Sequence, residues 1–93
     1  MRSRTVTIAN ALGLHARAAA RFVHAASAFQ CRVTVVRTDR AERTVDGKSI
    51  LGLLLLAAAK GAAVRITADG PDEAEALDAL CRFVESGFGE GAC

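Results

Sequence analysis

A histidine and an arginine stand two residues apart where a loop passes into a predicted helix. The stretch GLHARAAARFV, residues 13–23, places His15 just before the helical pattern and Arg17 in its first turn. The first N–H groups of a helix lack partners inside it, so its N-terminus binds anions, phosphate above all. The same positive end disfavours a protonated imidazole and leaves a neutral ring that can act as a nucleophile. His15 is therefore a candidate for covalent uptake of a phosphoryl group, with Arg17 binding the phosphate and Gly13 allowing unusual loop angles.

The face of this helix that carries Arg17 is basic and built on small residues. It contains no acidic side chain and consists of Arg17, Ala20, Arg21, His24 and Ala28. A solvated face normally mixes both signs of charge, whereas this basic row leaves room for a partner. We expect Ala20, Arg21 and His24 to contribute to docking. A shared metal site is excluded, because nine positions put His15 and His24 about 180° apart around the helix.

A second candidate lies in DGKSILGLLLLAAAKG, residues 46–61. Ser49 precedes a short apolar helix, and serine is a preferred N-cap, so structural capping is one interpretation of it. The segment is apolar almost all round, and we expect part of it to belong to the core. The residues expected in a docking patch are Ile50, Leu51, Leu54 and Leu55, some of which are also expected to belong to the core.

Apolar periodicity predicts the elements that hold these residues. Alternation predicts four strands, in RTVTIAN, CRVTVVRT, RTVDG and AAVRITADG. Helical spacing predicts a first helix over residues 16–29 and a last helix over residues 71–86, with Pro71 in its first turn. The predicted buried stripes are Ala19, Phe22, Val23, Ala26 and Phe29 in the first helix, and Ala74, Leu77, Leu80, Cys81 and Val84 in the last.

These elements predict an α+β open-faced sandwich of order βαββαβα. Four strands with one polar face each indicate an antiparallel sheet that is covered on one face by three helices. Residues 1–93 are enough for one core, so we expect a single domain.

The apolar runs and the cysteines predict the cellular location of the protein. The longest apolar run, ILGLLLLAAA, has ten residues, against the roughly 20 needed to span a membrane. With no signal-peptide pattern, we expect a cytoplasmic protein without membrane insertion. Three cysteines without CxxC spacing argue against a disulfide framework or a zinc site. Cys81 is expected to be a buried thiol and Cys93 an exposed one.

The charges are divided along the chain. Residues 1–38 carry six arginines and no acid, whereas residues 69–93 carry seven acids and only Arg82. A basic face of this kind favours an acidic protein partner. Nucleic acid is a weaker candidate, and we expect no such partner, because there is no lysine cluster and no exposed aromatic side chain between the arginines.

Three motifs together resemble those of the HPr family, the histidine-containing phosphocarriers of the bacterial phosphotransferase system. GLHARAAARFV, DGKSILGLLLLAAAKG and ITADGPDEAEAL occur in the family's order and spacing, and the similarity covers residues 3–88. The resemblance implies that His15 is phosphorylated on Nδ1 with Arg17 facing the phosphate. It also implies that enzyme I donates the phosphoryl group from phosphoenolpyruvate and that an enzyme IIA domain receives it. It further implies that Ser49 is a regulatory site for an HPr kinase/phosphorylase.

Ala18 departs from the family pattern. Sugar-transporting HPr proteins usually carry proline directly after the arginine of the site. Alanine here is similar to HPr-like proteins of bacteria whose phosphotransferase chain is regulatory. The resemblance therefore favours a regulatory chain over sugar transport.

Two classes of function remain open on the residues alone. The first is a monomeric phosphocarrier without a cofactor or substrate turnover of its own, since no nucleotide-binding loop is present. The second is a small α+β ligand-binding or adaptor module in which His15 is only a helix cap.

Overall fold

The computed structural model describes residues 1–40 and 43–89. The strands are β1 (Arg2–Thr7), β2 (Arg32–Arg37), β3 (Thr44–Asp46) and β4 (Ala63–Asp69). The helices are α1 (Ala16–Ser27), α2 (Ile50–Leu55) and α3 (Glu73–Glu85), with a 3₁₀ turn at Thr38–Arg40. None of the helices in these two ranges has the length and apolarity needed to cross a bilayer.

The four strands form one antiparallel sheet in the order β1-β4-β2-β3. In its register Val6 lies opposite Val64, and both side chains are buried beneath the helices. The other face is polar, and there the hydroxyls of Ser3 and Thr67 lie 2.8 Å apart. The predicted fold, an open sheet with three helices in the order βαββαβα, is confirmed.

The core fills the space between the sheet and the three helices. Its largest fully buried side chains include Ile8, Leu53, Leu80 and Phe88. Phe22 of α1 packs into the same cluster, and the ring of Phe88 meets that of Phe83 edge to face at 5.9 Å. All three helices therefore contribute to one core, which fixes the ends of α1 and α2 relative to the sheet.

The cysteine prediction is confirmed for Cys81, which is buried as a free thiol in α3. Cys31 is buried as well, and burial raises the pKa of both thiols because the thiolate loses its hydration. Cys93 lies outside the described residues.

The predicted bounds of α3 need a correction. The helix begins at Glu73, and Pro71 lies in the preceding turn, not in the first helical turn. The carboxylate of Asp72 accepts the N–H groups of Gln30 at 2.8 Å and Cys31 at 2.9 Å, so it ties this turn to the loop between α1 and β2. These backbone hydrogen bonds lower the pKa of Asp72, because they stabilise its charged form.

The buried stripes also differ from prediction at their ends. Ala74 is exposed in α3 and Ala76 takes its place in the core. In α1 the helix ends at Ser27, so Phe29 packs against the core from the loop that follows.

Candidate functional site

His15 is the N-cap of α1, with an extended backbone at φ −84° and ψ −179°. Its carbonyl accepts the N–H of Ala19 at 2.8 Å, and its Nδ1 atom accepts the N–H of Arg17 at 3.2 Å. A nitrogen that accepts from a backbone N–H carries a lone pair and no proton. The half-buried ring therefore presents an unprotonated Nδ1 at the positive end of the helix.

The loop before His15 is fixed on the connection that follows α2. Gly13 has a φ of +66°, and a Cβ there would lie 2.6 Å from the carbonyl oxygen of Ala58. Only glycine permits this approach without strain. The N–H of Leu14 donates to the same carbonyl at 2.8 Å. The buried Asn10 side chain donates to the Gly13 carbonyl at 2.8 Å, a contact that the sequence analysis missed.

The basic row lies along the outer face of α1. Arg17, Ala20, Arg21 and His24 are exposed, as expected, while Ala18 and Ala19 point into the core. Arg21 also donates to the carbonyl of Phe88 at 3.4 Å, which places it beside the segment after α3. A groove of about 440 Å³, lined by Ala20, Arg21, His24, Ala25, Phe83, Phe88 and Gly89, lies next to the row.

Metal ligands are not grouped anywhere in the described ranges. No set of three or more histidine, cysteine, aspartate or glutamate side chains there is placed to hold an ion. The two histidines lie at opposite ends of α1, with His15 at its N-cap and His24 in its last turn.

Ser49 is the N-cap of α2, which confirms the structural part of its interpretation. Its Oγ atom accepts the N–H of Gly52 at 3.1 Å, and its carbonyl accepts the N–H of Leu53 at 3.1 Å. The preceding turn is anchored by Lys48, whose Nζ donates to the carbonyl of Phe29 at 2.7 Å. The hydroxyl is thus held at the start of α2, beside the loop that follows α1.

The apolar residues after Ser49 divide into a buried and an exposed set. Leu53 and Leu56 enter the core. All four residues of the expected docking patch are exposed instead of being shared with the core, namely Ile50, Leu51, Leu54 and Leu55. Leu12, in the loop before His15, is 74% exposed as well, and no periodic pattern had singled it out. Because α2 packs against α1, the patch belongs to the same pair of helices as His15.

Comparisons with known proteins agree with this geometry. The family model of the PTS HPr component phosphorylation site matches residues 2–86. A phosphocarrier protein HPr of Neisseria meningitidis is 47% identical over 91 residues, which cover 98% of this chain and 99% of the relative. A phosphocarrier protein NPr of Shewanella violacea is 40% identical over 89 residues, covering 96% and 94%.

Solved structures agree as well. HPr-C-His from Thermoanaerobacter tengcongensis superposes with a TM-score of 0.87 at 42% identity, covering 97% of this chain and 98% of that one. An HPr dimer from the same bacterium gives a TM-score of 0.72 at 43% identity, covering 97% and 100%. With a family match over nearly the whole chain and relatives of this similarity, the chain belongs to the HPr family of phosphocarrier proteins of the phosphotransferase system.

Proposed function

We propose that this protein accepts a phosphoryl group on Nδ1 of His15 from enzyme I, charged by phosphoenolpyruvate, and passes it to an enzyme IIA domain. The observation that supports the proposal is the unprotonated Nδ1 atom at the N-cap of α1. In the transfer a bond forms between Nδ1 and phosphorus while the bond from phosphorus to the donor enzyme breaks. The electron pair of the broken bond leaves with the donor, and the second transfer runs the same exchange toward the acceptor domain.

The first turn of α1 supplies the charges that hold the phosphoryl group. Its early N–H groups have no partner within the helix, and the N–H of Arg17 already points at Nδ1. In the phosphorylated protein we expect this N–H and the Arg17 guanidinium to donate to phosphoryl oxygens. Catalysis then depends on positioning and charge neutralisation, without a cofactor and without a substrate pocket.

The role of the carrier is proposed to be regulatory. Ala18, where sugar-transporting HPr proteins usually carry proline, supports this assignment, and so does the similarity to an NPr protein. Action in the cytoplasm and the monomeric state remain predictions; a dimer is known for one HPr protein of similar structure.

Phosphorylation by enzyme I and phosphoenolpyruvate, followed by intact mass, tests the proposal. We expect one phosphoryl group per chain, labile to acid and stable to base, which is absent in His15→Ala. His24→Ala is the matched control, because it removes the other histidine of α1, and it should keep the addition. No addition to the unsubstituted protein would instead favour an adaptor in which His15 only caps the helix.

Ser49 is proposed as a second, regulatory phosphorylation site for an HPr kinase/phosphorylase. The ester would carry a charge of about −2 at the N-terminus of α2. The charge would lie beside the exposed leucines of the docking patch, where it repels an acidic partner.

A further inference from the structure

Arg37, the last residue of β2, lies against the C-terminal end of α2. Its Nη1 atom donates to the carbonyl of Leu56 at 3.1 Å and to that of Ala57 at 3.2 Å. The side chain is only 16% exposed. The last carbonyls of a helix have no partners inside it and carry a partial negative charge, so a guanidinium stabilises this end.

The remaining donors of Arg37 are oriented by Asp39. Nε donates to one carboxylate oxygen at 3.0 Å and Nη2 to the other at 2.7 Å. This two-point pairing fixes the plane of the guanidinium. Arg37 therefore reaches the two carbonyls in one orientation, which a flexible lysine ammonium would not reproduce.

The carbonyls that Arg37 holds lead directly to the histidine loop. Ala57 has a φ of 51°, a conformation that an alanine adopts only when its surroundings impose it. The next carbonyl, that of Ala58, accepts the N–H of Leu14, and Leu14 precedes His15. A continuous series of contacts thus runs from Arg37 through the end of α2 to His15.

We propose that Arg37 is a positioning residue for phosphoryl transfer at His15. It fixes the end of α2 and, through Ala58 and Leu14, the orientation of the imidazole relative to the docking patch. The proposal rests on the carrier function proposed above. A partner that docks on α2 then meets Nδ1 at one distance and angle, and transfer rates depend steeply on both.

The first test uses the kinetics of enzyme I with this protein as the acceptor. We expect Arg37→Met to lower kcat about tenfold while KM stays within about twofold, because docking is kept and alignment is lost. Arg37→Lys should recover part of kcat, since it keeps one donor to the carbonyls. Arg32→Met, at the other end of β2, is the matched control and should behave as the unsubstituted protein.

The second test measures amide hydrogen exchange of the free protein. In Arg37→Met the N–H of Leu14 should exchange about tenfold faster, while that of Phe22 in the middle of α1 stays protected. An unchanged kcat overturns the proposal. Equal loss of protection at the Leu14 and Phe22 amides also overturns the proposal, because Arg37 would then stabilise the whole fold and not the loop in particular. If the unsubstituted protein takes up no phosphoryl group, the carrier function fails, and Leu14 exchange still shows separately whether Arg37 holds the loop.

Discussion

In the proposed carrier function, the Nδ1 atom of His15 would serve two purposes at the start of α1. In the free protein it caps the helix by accepting the N–H of Arg17. After phosphorylation that N–H can donate to a phosphoryl oxygen, so the helix end keeps an acceptor in both states. The hydrogen bond that holds the ring before transfer is therefore replaced, not lost, and little reorganisation is needed.

A residue-scale prediction concerns the charge at Ser49. Ser49→Asp should slow phosphorylation of His15 by enzyme I about fivefold or more, because a carboxylate beside the docking patch repels an acidic partner. Asparagine caps a helix as well as aspartate does, so Ser49→Asn is the uncharged control and should leave the rate unchanged. Initial rates of phosphohistidine formation measure both. Equal rates for the two variants would remove the regulatory role and leave only the cap.

At the scale of elements, local patterns predicted the strands and missed some helix ends. Alternation located β4 well because buried and exposed side chains alternate along it. The pattern RTVTIAN placed β1 too late, since that strand runs from Arg2 to Thr7 and only Val6 in it is buried. The first turn of α3 could not be predicted, since Asp72 contacts Gln30 and Cys31, far away in the sequence. Ala74 and Ala76 were exchanged for a different reason: small apolar side chains hardly mark which face of a helix is buried.

The site was predictable where it depends on one stretch of chain. His15, Arg17 and the basic row follow from local spacing around the start of α1. Arg37 contacts the Leu56 carbonyl, which is distant in the sequence, and no spacing reveals that contact. Asn10 contacts the carbonyl of Gly13, only three residues away, but no periodic pattern marks this turn. The exposure of the α2 leucines was only partly predicted, because an all-apolar segment gives no periodicity to assign its faces.

An element-scale prediction concerns the end of α2. Ala57 occupies the left-handed region that follows its last turn, at a cost of about 1–2 kcal/mol for an L-residue. Glycine removes this strain. It also lowers the free energy of unfolding by about 0.4–1 kcal/mol, because it gives the unfolded chain more conformational entropy. Ala57→Gly should therefore raise the free energy of unfolding by about 0.5–1 kcal/mol, measured by urea denaturation.

Ala59→Gly is the matched control for that substitution. Ala59 is an exposed residue of the same connection and has no positive φ, so glycine should lower the stability there. If Ala57→Gly destabilises the protein as well, the left-handed conformation of Ala57 carries no strain.

At the scale of the molecule, folding partly cancels the division of charge along the chain. β1 packs beside α3, and Arg2 lies 3.6 Å from Glu73 while Arg4 lies 3.8 Å from Asp78. The arginines of β1 are thus matched by acids of the C-terminal helix. The exposed row on α1 has no acidic residue within its own helix, so we expect it to present positive charge close to His15.

A molecule-scale prediction follows for the effect of salt. The KM of enzyme I for this protein should rise about threefold or more between about 20 and about 300 mM KCl, because salt screens attraction between exposed charges. Arg21→Gln should raise KM at low salt and flatten this dependence. Arg65→Gln, an exposed residue of β4, changes the net charge equally and should retain the full dependence. A KM that does not respond to salt would exclude electrostatic docking through α1.

The position of β1 at the edge of the sheet affects when, during synthesis, the loop that carries His15 gains its supporting contacts. β1 leads into the histidine loop, but its hydrogen-bonding neighbour is β4, and Leu14 rests on the backbone just before that strand. In a chain still emerging from the ribosome, His15 is exposed long before β4 and the backbone that supports Leu14 have been synthesised. We therefore expect the geometry around His15 to form late, and a chain that ends before β4 should not take part in the proposed phosphoryl transfer.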